Sequence, residues 1–166
     1  RYGAGIGQVI DVPWIHICNI CVYYVCEQNG LEVTVPPTGS VMTTGAGQTI
    51  PDGDYLIATA ENNKFYLDIQ GIEIPAAECT NVSLAGPLLD VPNAADIWTV
   101  TYIDDGGFYT IHQMGSTAAL DVDKASTVQG GNVHVYPANT SNAQKWSISR
   151  NEDGSYRIRA KCSGYL

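Results

Sequence analysis

Three segments of this chain open alike: "PDGDYLI" from Pro51, "DDGGFYTI" from Asp104 and "NEDGSYRI" from Asn151. Each joins an Asp-Gly turn signal to a Tyr-x-Ile alternation, the pattern of a chain reversal feeding a β-strand. Further landmarks follow in one order. "YLDIQG" at Tyr66 corresponds to "ALDVDK" at Ala119, and "NVSLAG" at Asn81 to "NVHVYP" at Asn132. Each copy then reaches a Trp and a short alternating strand, "IWTVTYI" at Ile97 and "KWSISR" at Lys145. Five landmarks in one order mark a duplicated unit of about 50 residues. A unit that short does not bury a core alone, so the copies must share one.

Each copy offers about four short strands separated by turns, and copies set around one axis would bury Leu, Ile, Val and Trp centrally. Trp98 and Trp146 hold matching places in the repeat, so both are expected in that core. The 17 Gly, 8 Pro and 45% hydrophobic content suit an all-β fold with many turns. At 166 residues there is room for one ordinary domain, or a small domain and part of another.

The formal charge of -9 repels phosphate backbones and anionic lipid, which argues against nucleic acid as a partner. The longest apolar run, residues 15–26, contains His16 and Asn19 and is shorter than the roughly 17 residues a spanning helix needs, so no membrane insertion is expected. Cys18, Cys21, Cys26, Cys79 and Cys162 are odd in number and irregular in spacing, so they do not form a plain disulfide framework. The Cys18-x-x-Cys21 pair lacks the second ligand pair that zinc requires. These cysteines read as small buried hydrophobes with room for one bridge, and neither metal nor cofactor is implied.

The ordered set "LDV", "GGNVHVY" and "NAQKW", with "DGxYxI" opening the next copy, resembles the ricin-B-like β-trefoil lectins, in particular their bacterial carbohydrate-binding modules. The resemblance covers residues 50–166 and is strongest in the second copy. It implies an all-β β-trefoil of three four-stranded lobes, with about two and a third repeats recognisable here and the third lobe truncated. It also implies sugar pockets in which a carboxylate holds two hydroxyls and an aromatic ring stacks on the apolar sugar face. In the second copy Asp121 falls at the carboxylate, Tyr136 at the ring and Gln144 at the Gln near the pocket, while Asn132 suits a turn. His134 replaces a commoner Gln and is expected neutral at the surface, and Ala143 replaces an Asn. In the first copy Asp68 keeps the carboxylate, but Ser83 and Ala85 replace the Gln and the ring, and Asp96 replaces the Gln before Trp98. That lobe is expected to be structural.

Three readings remain open for residues 1–49. In one, "VIDV" and "NICVYY" are the degenerate back half of a lobe, with Asp11 and Tyr23 as a second candidate sugar site. In another, residues 17–33 form a helix with Cys18, Cys21, Val22, Val25 and Cys26 on one face and Gly30 as its stop. That helix vaguely resembles the nucleophile helix of NlpC/P60 cell-wall peptidases, although Ile17, Asn19 and Ile20 depart from the motif and no His is placed to act as base. In the third the segment is an unassigned extension. Residues 36–48, rich in Pro, Gly and Thr, read as a linker, which puts a domain boundary near residue 50.

Together these features predict a non-catalytic carbohydrate-binding module for galactose-type sugars or polysaccharide. Its candidate site is Asp121, His134, Tyr136 and Gln144. A structural trefoil appended to an NlpC/P60-type hydrolase is the alternative. A secreted or cell-surface bacterial setting is expected, as is a homo-oligomer or a partner that completes the third lobe.

Overall fold

The computed structural model describes residues 17–27, 31–34, 44–60, 65–71, 73–86, 94–128 and 130–163. Among these the chain forms eleven β-strands and four single 3-10 turns, with no α-helix. The first lobe comprises β3 (Gly53–Thr59), β4 (Tyr66–Ile69), β5 (Val82–Ala85) and β6 (Ile97–Ile103). The second comprises β7 (Phe108–Gln113), β8 (Ala118–Val122), β9 (Val133–Pro137) and β10 (Trp146–Arg150). β11 (Tyr156–Ala160) begins the third.

The duplication is visible in the register. Within the first lobe Trp98 of β6 lies opposite Tyr55 of β3, and within the second Trp146 of β10 lies opposite Tyr109 of β7. Both tryptophans are completely buried. Trp98 Nε1 donates to the carbonyl of Leu67 at 3.1 Å, and Trp146 Nε1 to that of Leu120 at 3.0 Å. A buried ring nitrogen needs a partner, and both lobes supply it from the Leu of the matching Leu-Asp pair. Alternation along β3, β7 and β11 sends Ile57, Ile111 and Ile158 into one shared core with both tryptophans, Leu67, Leu120 and Val135.

Each lobe's outer strands pair as a hairpin, β4 with β5 and β8 with β9. The remaining strands run β11-β10-β7-β6-β3 in antiparallel series. β1 (Ile17–Glu27) sits between the two ends of that series. It pairs with β11 at Ile17↔Ile158 and Ile20↔Tyr156, and with β3 from Ile20↔Thr59 to Tyr24↔Tyr55. A ring of six strands results, with β2 (Leu31–Thr34) folded back on the end of β1. Closing the ring satisfies the backbone edges of both β3 and β11. The ring with its outlying hairpins is a β-trefoil.

The helix read over residues 17–33 is not formed. Residues 17–27 carry Ile, Val and Tyr in a density that suits a strand, and two unpaired edges compete for their backbone groups. The turn signals also differ among copies. Gly107 and Gly154 adopt the left-handed backbone that their turns need. Gly53, by contrast, is already the first residue of β3. There Asp52 accepts hydrogen bonds from the Tyr102 amide and from Gln48 Nε2, tying the start of the lobe to its last strand. Of the linker, residues 44–48 end in a tight turn held by Gln48, whose amide nitrogen donates to Gly45 O. Residues 36–43 lie outside the described residues.

Candidate functional site

The β8–β9 hairpin places Ala119 opposite Tyr136 and Asp121 opposite His134. Side chains two apart on one strand share a face, so Asp121, His134 and Tyr136 stand together on one side of the hairpin. Asp121 Oδ1 accepts from His134 Nε2 at 3.3 Å. The His134 ring lies stacked against Tyr136, centroids 5.9 Å apart and planes inclined by 18°. Asp121 and His134 are each only 6% exposed, whereas Tyr136 is 36% exposed. His134 is therefore not a surface residue, because Asp121 on one side and Tyr136 on the other enclose its ring. Cys162 lies close enough for the charge of Asp121 to add to the effect of burial in raising its thiol pKa.

Gln144 sits behind this face and is 2% exposed. Its Oε1 accepts from the Asn139 amide at 2.7 Å and its Nε2 donates to Pro137 O at 3.2 Å. Both ends of the amide thus hold the loop that leaves β9, which fixes the backbone just beyond Tyr136. Ala143, buried beside it, belongs to the core. Asn132 precedes β9, and its carbonyl accepts from the Asp123 amide, bracing the hairpin turn.

A second set of residues reaches this face from the first lobe. The segment between β4 and β5 crosses over to β9, where Cys79 N donates to Val135 O and Val135 N donates to Thr80 O, both at 2.9 Å. Asn81 forms an isolated bridge opposite His134. The crossing is anchored by Gln113, fully buried, which accepts from Ala76 N and donates to Glu73 O, each at 2.8 Å. Glu78 is thereby brought to the groove that Tyr136 lines. The Glu78 carboxylate, with smaller effects of burial, Cys79 and Asp121, raises the Tyr136 pKa above its ordinary value. Glu78 and Gln113 lie outside the repeat landmarks, and no spacing rule within one copy reveals a contact made between copies.

The other candidates fare differently. Asp11 lies outside the described residues, and Tyr23 lies in β1 opposite Leu56. In the first lobe Asp68 faces Ser83 and Tyr66 faces Ala85, so that hairpin does carry a ring, moved to the opposite strand. Tyr66 packs against the cluster of Leu56, Ala58 and Ile97. Cys79 is exposed rather than buried, held at the surface by its place in the crossing segment, and Cys162 is partly buried. Among the described residues no group of His, Cys, Asp and Glu is arranged to hold a metal, and no helix is long and apolar enough to cross a membrane.

The ring of six strands with its outlying hairpins is the architecture of a β-trefoil. Residues 94–166 match the family model described as ricin-type beta-trefoil lectin domain-like. Among solved structures the chain is similar to a designed three-fold symmetric protein, ThreeFoil. The two are 26% identical with a TM-score of 0.58, over 67% of this chain and 74% of that one. It also resembles part of a mosquitocidal holotoxin at 20% identity and TM-score 0.55, covering 68% of this chain but 13% of the toxin, a likeness of fold alone. No curated protein matches the chain.

Proposed function

We propose that this protein binds carbohydrate without catalysing a reaction on it, at the β8–β9 face of the second lobe. The observation that carries this reading is Tyr136, a large aromatic ring left 36% exposed on a rigid hairpin with carboxylates nearby. A pyranose has an apolar C–H face and directional hydroxyls, and a ring beside acidic acceptors answers both. The match of residues 94–166 to the lectin-type family supports the same reading. Ligands of galactose type, or a polysaccharide built from similar units, fit a shallow face of this kind. Such a face stays partly wet, so affinity per site is low and several sites acting together would raise it.

The decisive experiment is glycan-array binding of the wild type beside Tyr136→Ala. Binding that disappears in the variant with an unchanged melting temperature supports the reading. Absence of binding by the wild type refutes it and favours a purely structural trefoil. An extracellular or cell-surface setting is part of the proposal and accords with the charge of -9. Protease treatment of intact cells tests it, since a protein left untouched would not be on the surface.

A further inference from the structure

His134 stands between the two groups that the lectin resemblance would have act together. Its Nε2 contacts Asp121 at 3.3 Å and its ring lies alongside that of Tyr136 in an offset stack, centroids 5.9 Å apart. The Asp121 side chain is only 8% accessible. A sugar stacked on Tyr136 must therefore use the part of the ring turned away from His134, which is also the part turned away from Asp121. Tyr136 lines a groove between the lobes to which neither His134 nor Asp121 contributes, and whose walls include Pro75 and Ala76 of the first lobe and Thr117 and Pro137 of the second. The carboxylate lining the groove is Glu78. It is exposed and is set on a segment pinned by Gln113 and by the backbone bonds of Cys79 and Thr80 to β9.

Resting on the carbohydrate reading above, we infer that the carboxylate which takes the sugar hydroxyls is Glu78, supplied by the first lobe. The ligand is an uncharged pyranoside lying in the interlobe groove. Its apolar face meets Tyr136 and the Pro and Ala walls, and adjacent hydroxyls donate to Glu78, whose two carboxylate oxygens are acceptors only. Among the lining residues there is no Lys or Arg, and Glu78 repels a carboxylate or sulfate, so acidic sugars are excluded. Asp121 stays beneath, bonded to His134.

An array of galactosides, N-acetylgalactosaminides and xylo-oligosaccharides, with sialylated and uronate-bearing glycans beside them, separates the possibilities. Glu78→Gln, exposed and isosteric, should keep the wild-type melting temperature and lose at least about tenfold in affinity for the neutral glycans. Asp121→Asn, which keeps an acceptor for His134, should stay within about threefold of the wild type. If Glu78→Gln binds like the wild type, or if Asp121→Asn loses as much, the inference fails while carbohydrate binding stands. Preference for the acidic glycans would overturn it as well. A wild type that binds nothing on the array would sink both readings, and loss in Tyr136→Ala alone would sink only this one.

Discussion

Replacing Gln113 by Leu tests whether the segment carrying Glu78 is held by one buried amide. Gln113 is fully buried, and its amide makes two hydrogen bonds of 2.8 Å to the backbone of residues 73 and 76, at the start of the crossing from the first lobe to the second. Leucine has nearly the same volume and no polar atoms, so packing changes little. Each lost bond is worth about 1 kcal/mol, with more for a donor left buried and unpaired. The Ala76 amide is partly buried, whereas Glu73 is exposed and its carbonyl gains water, so the net cost is about 2 kcal/mol. For a chain of this size that lowers the melting temperature by about 4–8 °C. Thermal unfolding followed by circular dichroism measures this directly. Glu78 lies two residues beyond Ala76, so neutral-glycan affinity should also fall several-fold although Gln113 itself does not line the groove. A variant that melts and binds like the wild type would refute the anchoring role.

The matching tryptophans should respond alike. Trp98→Phe and Trp146→Phe each strand a buried carbonyl, of Leu67 and of Leu120, and leave a small cavity, costing about 2–4 kcal/mol apiece in denaturant unfolding. A cost confined to one of them would contradict the equivalence of the lobes. Stability should also fall on mild acidification through His112, whose pKa is lowered by burial. The folded state then binds this proton more weakly than the unfolded state, so stability is lost as pH falls through the unfolded value of 6.5 toward the lower folded one. His112→Gln should flatten that part of the pH–stability curve, and an unchanged curve would remove His112 as the cause. In thiol labelling with peptide mapping, exposed Cys79 should react well before Cys162, whose thiol pKa is raised mainly by burial. Equal rates would show that the 3-10 turn at Lys161–Ser163 opens readily.

The lobes were legible because their determinants are local. An Asp-Gly opening, a Leu-Asp pair and a Trp recur at fixed offsets, and the Leu-Asp pair and the Trp do the same thing in both lobes, the Leu carbonyl accepting from the Trp ring nitrogen. Trp98 and Trp146 are buried for the reason inferred from their positions. What escaped reading depends on contacts between copies. Glu78 is one acidic residue in an unremarkable loop until Gln113 and β9 place it against Tyr136. His134 looks like a surface residue on an alternating strand, because nothing in its own copy says that Asn81 of the first copy will bridge to it. Gln144, which the resemblance puts near the pocket, commits both ends of its amide to the backbone of residues 137 and 139, a contact within its own copy that spacing alone does not reveal. The strand β1 is only one of three readings of its sequence, for a different reason. Its apolar residues fit helix and strand spacing alike, and the choice is made by the edges of β3 and β11, whose need for partners is a property of the assembled ring.

That ring carries a consequence for how the molecule comes to be. Its closing plank is β1, yet one of the two edges β1 joins belongs to β11, nearly the whole described chain away. During synthesis β1 can zip to β3 early, but its other side waits until β11 has emerged. Pairing across so long a stretch is slow, because the entropy of closing the loop comes before any contact rewards it. For that interval the nascent protein shows an open β-edge to its surroundings, and its yield in a crowded cell depends on how well that edge is guarded.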